Sequence, residues 1–232
     1  MSHINFYYSI DKDAENWINR LFDHGSVTFI PQKDVLEKYP KNLLDKIKVA
    51  HDYEEAKQIA INFIKNDAVN TNKTSIIDEE LKALKASWEV RENNFFKALE
   101  NMFEKPIYTE NFSGYLTTFF RCPYSEKENW FTVNFWSSLP EQITTIAHEI
   151  LHLQFLHQYR SILEKSLDEE KIQVLKEALT FLLNEKEFYG ILLKQDKGYE
   201  EHAVLRKKLK DLWRESREFH LFLPEAMKIL MK

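Results

Sequence analysis

Residues 145–153, Thr-Ile-Ala-His-Glu-Ile-Leu-His-Leu, place two histidines four positions apart in an apolar run. On an α-helix, positions i and i+4 share a face, so His148 and His152 can present two imidazole nitrogens to one metal ion. Glu149, one position on, falls beside such an ion rather than on it. There its carboxylate can take a proton from metal-activated water, with two histidines as ligands and the glutamate as base. The helix this requires is marked in the sequence. Ser138 stands three residues before Glu141 as a capping box, with Pro140 tolerated in the first turn. Ile143, Ile146, Ile150, Leu153 and Leu156 then recur at helical spacing and predict a core-facing stripe.

The chain has 232 residues, enough for one full-sized domain, and 44% hydrophobic with 30% charged residues is a soluble globular balance. Its net charge of −5, with both signs interspersed, gives no footprint for nucleic acid or an anionic membrane. The densest basic run, Arg206, Lys207, Lys208, Lys210, Arg214 and Arg217, is interleaved with Glu200, Glu201, Asp211, Glu215 and Glu218 and reads as a solvated helix face. The first residues lack a basic stretch followed by an apolar core, and no apolar run of about 18 residues suggests a membrane span, so an intracellular, cytoplasmic protein is expected. A single cysteine, Cys122, excludes an internal disulfide and a thiolate zinc cluster, and it reads as inert. Four glycines, Gly25, Gly114, Gly190 and Gly198, are too scattered for a phosphate-cradling loop, a dinucleotide fingerprint or a nucleophile elbow.

Along the chain, residues 4–10 and 26–31 read as short strands and 11–24 as a helix with Trp17, Ile18, Leu21 and Phe22 on one face. A helix over 53–66, a polar loop over 66–75 and a long helix over 77–103, with a break near Arg91, follow. Residues 115–121 and 130–136 are β-branched and aromatic around a turn-prone connection, which predicts an antiparallel pair leading into the histidine helix. Ser166 to Glu169 form a second capping box, predicting a helix from Leu167 to beyond Asn184. Residues 198–222 are helical, Pro224 breaks that run, and 225–231 form a short last helix. The expected fold is α+β and mostly helical, with a small antiparallel sheet beside the histidine helix and further helices on both sides in sequence. It forms a single domain over 1–232, mostly helical over 1–105, with the sheet and metal-binding helices over 106–232.

Two imidazoles need a third protein ligand if the fourth position is to stay open for water. Phe155 and Gln158 stand where an extended histidine pattern would need a glycine and a third histidine, and His157 points to the opposite face. Residues 176–183, Lys-Glu-Ala-Leu-Thr-Phe-Leu-Leu, resemble the helical Glu-Ala-apolar-hydroxyl segment that carries the glutamate ligand in thermolysin-like gluzincin metallopeptidases. With the histidine motif upstream and an edge-like strand over 130–136 before it, the resemblance covers about residues 130–183. It implies a zincin-like domain, Zn2+ as the metal, His148, His152 and Glu177 as its ligands, and Glu149 as general base. Where those enzymes carry an aspartate that orients a histidine, this chain has Phe181, so that partner must come from elsewhere. On a helical wheel Glu177 falls just outside the apolar arc and Glu185 inside it, which keeps Glu185, and behind it Glu170, as alternative third ligands.

The activity implied is hydrolysis of peptide bonds in a peptide or protein substrate, with residues 130–136 able to bind an extended chain as an added strand. His220, His202, Tyr189 and Tyr199 lie downstream as candidate donors to the oxyanion. The alternatives are a zinc-binding regulatory or interaction protein of the same fold without proteolytic activity, and a helical protein in which the motif is accidental.

Overall fold

The computed structural model describes residues 2–19, 21 and 36–231; the expected strand at 26–31, and Phe22 of the expected first helix, lie outside them. The described chain is mostly helical, with a small mixed sheet. In order it forms β1 (His3–Tyr8), α1 (Ile10–Ile18), α2 (Lys41–Ile47), α3 (Tyr53–Asn70), α4 (Lys73–Phe103), β2 (Asn111–Thr117), β3 (Tyr124–Ser125) and β4 (Trp130–Asn134). There follow α5 (Leu139–Leu163), α6 (Glu169–Leu179), α7 (Ala203–Ser216) and α8 (Phe219–Met231).

The sheet has the order β1-β2-β4-β3. β2 runs parallel to both β1 and β4, and only β3 is antiparallel to its neighbour. The antiparallel sheet expected from residues 115–121 and 130–136 is therefore corrected. The connection between them is long enough to lay down its own short strand, and Tyr124 and Ser125 take the antiparallel place on β4 opposite Phe131 and Trp130. Gly114 sits in register with Phe6 on one side and Phe131 on the other, and a Cβ there would come within 2.8 Å of the Phe6 ring. The close approach of these rings is why a residue without a side chain occupies the middle of β2.

α5 packs its whole apolar stripe into the main core, where Ile143, Ile146, Ile150, Leu153 and Leu156 are fully buried with Phe95, Phe103, Phe112, Phe131 and Phe155. Its start is held as the capping pattern predicts, by the Ser138 backbone N–H and hydroxyl donating to Glu141 Oε2 at 3.0 and 2.9 Å. A second, smaller cluster gathers Ala14, Ile18, Leu43, Ile47, Ala56, Ala60 and Phe119 from α1, α2, α3 and the end of β2. The two meet at Asp13, a buried carboxylate that accepts from Thr117 Oγ1, Thr118 N and Thr118 Oγ1 at 2.7, 2.8 and 2.7 Å. The sheet thus takes its first strand from the N-terminal, mostly helical part.

Several boundaries differ from expectation, each for a local reason. The loop expected over 66–75 shrinks to Thr71 and Asn72, because Asn72 adopts the left-handed conformation (φ 52°) that lets α4 follow α3 directly. α4 runs through Arg91 without a break. Asp168, not Ser166, caps α6 by accepting from Lys171 N at 2.8 Å. α6 ends at Leu179 in a tight 3-10 turn, Thr180–Asn184, instead of continuing. Residues 198–222 break at Arg217 (φ 53°), and Pro224 lies within the second turn of α8. Among the described residues no helix is long and apolar enough to cross a membrane.

Candidate metal centre

α5 aims both histidines into one cleft, with ring centroids 4.2 Å apart. The last turn of α6 brings Glu177 to meet them: its Oε2 lies 3.5 Å from His148 Nε2 and 3.6 Å from His152 Nε2. One donor atom from each of the three lies within 4.8 Å of the others, so this group could hold a metal ion. Glu185 does not join it. α6 has already tightened before that residue, so the helical wheel loses its phase, and Glu185 instead faces Lys210 Nζ at 4.0 Å and Arg217 Nη2 at 3.5 Å. Glu170 is exposed in the first turn of α6. Glu177 falls outside the apolar arc because that arc faces the core and Glu177 faces the cleft.

The donor set fits a cation. His152 Nε2 and Glu177 Oε2, 3.6 Å apart, are both buried and make no hydrogen bond. Buried polar atoms are normally paired, so two unpaired acceptors facing each other leave room for a cation between them. Two imidazoles and one carboxylate are ligands suited to zinc, with a further position left over.

The orienting carboxylate missing at Phe181 comes from Asp196, whose Oδ2 lies 2.7 Å from His148 Nδ1. Asp196 is itself fixed. Its Oδ1 accepts from Thr180 Oγ1 at 2.8 Å and Arg206 Nη2 at 3.1 Å, and its backbone exchanges two hydrogen bonds with the Asn184 side chain at 2.8 and 2.7 Å. Gly198 lets this loop close, since its φ is 61° and a side chain there would collide with the Arg206 guanidinium. Arg206 is consequently buried, and the expectation that its basic run is only a solvated face fails at this residue. Neither Asp196 nor Arg206 carries a motif. Gly198 two positions after Asp196 signals a turn, which is the nearest the sequence comes to marking the loop.

Burial opposes a charge on His148, but the hydrogen bond with Asp196 and the nearby Glu177 carboxylate outweigh it and raise its pKa to about 10. His152 goes the other way: burial, then the positive charge of His148 and of Lys176, push it well below the ordinary imidazole value. Burial lifts Glu149 to about 7 against the pull of His148 and Lys176.

The cleft measures about 840 Å³ and is lined by Glu149, Lys176, Tyr124 and Tyr199 as well as the three donors. Of the four residues expected as candidate oxyanion donors, Tyr199 alone borders it. His220 is turned to Glu104 at 2.6 Å, Tyr189 is exposed away from it, and His202 stacks edge-on against Tyr199 from outside the lining. Burial raises the Cys122 thiol to about 12, with the Glu149 charge adding to it, consistent with an inert residue. β2 and β3 flank β4 at Trp130 and Phe131, so within the expected strand-accepting stretch 130–136 these two residues present no free edge. The strand at that edge of the sheet is β3, whose Tyr124 faces the cleft.

No protein-family model matches the chain, and no curated protein or solved structure matches it significantly.

Proposed function

We propose that the protein is a zinc-dependent metallopeptidase of gluzincin type, acting on a peptide or protein substrate bound in this cleft. The observation that carries the reading is the convergence of His148 Nε2, His152 Nε2 and Glu177 Oε2 beside Glu149, whose own Oε2 is buried and unpartnered. His148, His152 and Glu177 would hold the ion, and zinc there would polarise the scissile carbonyl and make water acidic enough to attack. Glu149 takes the proton from the attacking water and delivers it to the departing amine. Asp196 holds the His148 ring through Nδ1, leaving Nε2 for the ion. Tyr199, which borders the cleft, would donate to the oxygen that gains charge, and the edge strand β3 would align an extended chain.

The small size of the chain and the lack of an aspartate at Phe181 favour the non-proteolytic alternative; Asp196 makes the histidine contact from a different place in the chain. Replacement of Glu149 by Gln tests the reading. The variant should bind zinc as the wild type does and lose cleavage of peptides that the wild type cuts. Undiminished turnover would remove Glu149 as the base.

A further inference from the structure

Lys176 is 3% exposed, an unusual setting for an ammonium group. Its Nζ lies 2.9 Å from Glu177 Oε1 and 3.0 Å from Tyr124 Oη, and 4.7 Å from the centre of the Tyr124 ring. Successive helical positions point about 100° apart, so Lys176 and Glu177 meet only at the ends of their side chains. Tyr124 of β3 holds the ammonium at that meeting point. The two oxygens of Glu177 are thereby made unlike. Oε1 is engaged by a buried cation, while Oε2 is buried without a partner and faces both histidines.

A carboxylate can bind a cation through one oxygen or through both. At a site with two imidazoles, a second bound oxygen would add a fifth donor that crowds the position a hydrolytic centre keeps open. We propose that Lys176 is a positioning residue that restricts Glu177 to one-oxygen coordination and so reserves one position on the ion for water and substrate. The inference rests on the metal-dependent reading above and adds to it what keeps the site open. A lysine that only neutralised the glutamate's charge would have no reason to select one oxygen, and the Tyr124 hydroxyl would then be dispensable as its second anchor.

The test is the visible spectrum of the full chain loaded with cobalt(II), whose bands are strong in a four-coordinate centre and weak in a five-coordinate one. Wild type should show the strong bands. Lys176→Met should keep its cobalt, show the weak bands of a centre that has gained the second oxygen, and lose turnover by ~10–100-fold. Lys176→Arg, which restores a cationic donor, should recover the strong bands. A wild-type spectrum in the methionine variant overturns the proposal and leaves the metal site standing. Failure of wild type to take up cobalt overturns both. If the methionine variant does not fold, Tyr124→Phe, which removes the second anchor of the ammonium, takes its place: weak bands are expected, and a wild-type spectrum overturns the proposal.

Discussion

His148 and His152 lie one helical turn apart and face the same carboxylate, yet they are held in opposite ways. His148 is fixed through Nδ1 by Asp196, and Asp196 by Thr180, Asn184 and Arg206. His152 has no hydrogen-bond partner on either nitrogen and is fixed by burial beneath the Tyr124 ring, 6.0 Å away. One ring is positioned by polar contacts from residues 180–206, the other by packing alone. The i, i+4 spacing makes them equivalent as potential ligands, and the tertiary structure makes them different as acids.

The largest effect should come from removing either ring. His148→Ala and His152→Ala should each abolish stoichiometric zinc binding and the rise in melting temperature that added zinc produces in wild type. Without metal the two should part. His148→Ala strands the Asp196 oxygen it leaves behind and should cost ~1–3 kcal/mol beyond the packing both variants lose, whereas His152→Ala strands no hydrogen-bonded partner. Equal stabilities of the two metal-free variants in denaturant would erase the distinction. A smaller change is expected from Asp196→Asn, which keeps the shape of the network and loses its charge. Zinc affinity should fall ~10–100-fold in competition with a chromophoric chelator, and an unchanged affinity would show that the network does not serve the site.

The smallest effect is a proton count. His148 holds its proton up to about pH 10 in the metal-free fold, and His152 is already neutral at pH 8. Zinc uptake at that pH should therefore release close to one proton, from His148, and affinity should rise as pH rises towards 10. The same shifts set opposite stability trends without metal. The contribution of His148, whose pKa is raised, is complete below about pH 6.5 and fades towards pH 10, while that of His152, whose pKa is lowered, is present above about pH 6.5 and fades as the solution becomes acidic. Titration calorimetry in buffers of different ionisation enthalpy measures the release, and none at pH 8 would contradict the contrast.

The parts of the site on one helix were legible because their rules are local. Capping by Ser138 and Glu141, the isoleucine stripe and the placement of His148, Glu149 and His152 all follow from helical periodicity. Glu177 was reached through a resemblance rather than a wheel, which favoured Glu185 by assuming that α6 continued past Leu179. Asp196 was hidden because it meets His148 from 48 residues away and sits in a loop with no periodicity to read. Arg206 looked like its solvated neighbours, since only the fold decides which cation in an alternating run turns inward. Strand content was similarly visible and strand partners were not. Aromatic and β-branched residues mark β2 and β4, but nothing local states that they run the same way or that β1 joins them.

That first pairing bears on how the protein assembles. β1 binds β2 in parallel with His3 opposite Asn111, so more than a hundred residues are emitted by the ribosome before the first strand can find its place. Closing a loop of that length forfeits chain entropy before any contact rewards it, and such long-range parallel pairings are slow to form. The sheet under α5 is then completed late, and competence to capture an ion should appear with the slowest phase of folding rather than with the formation of the histidine helix.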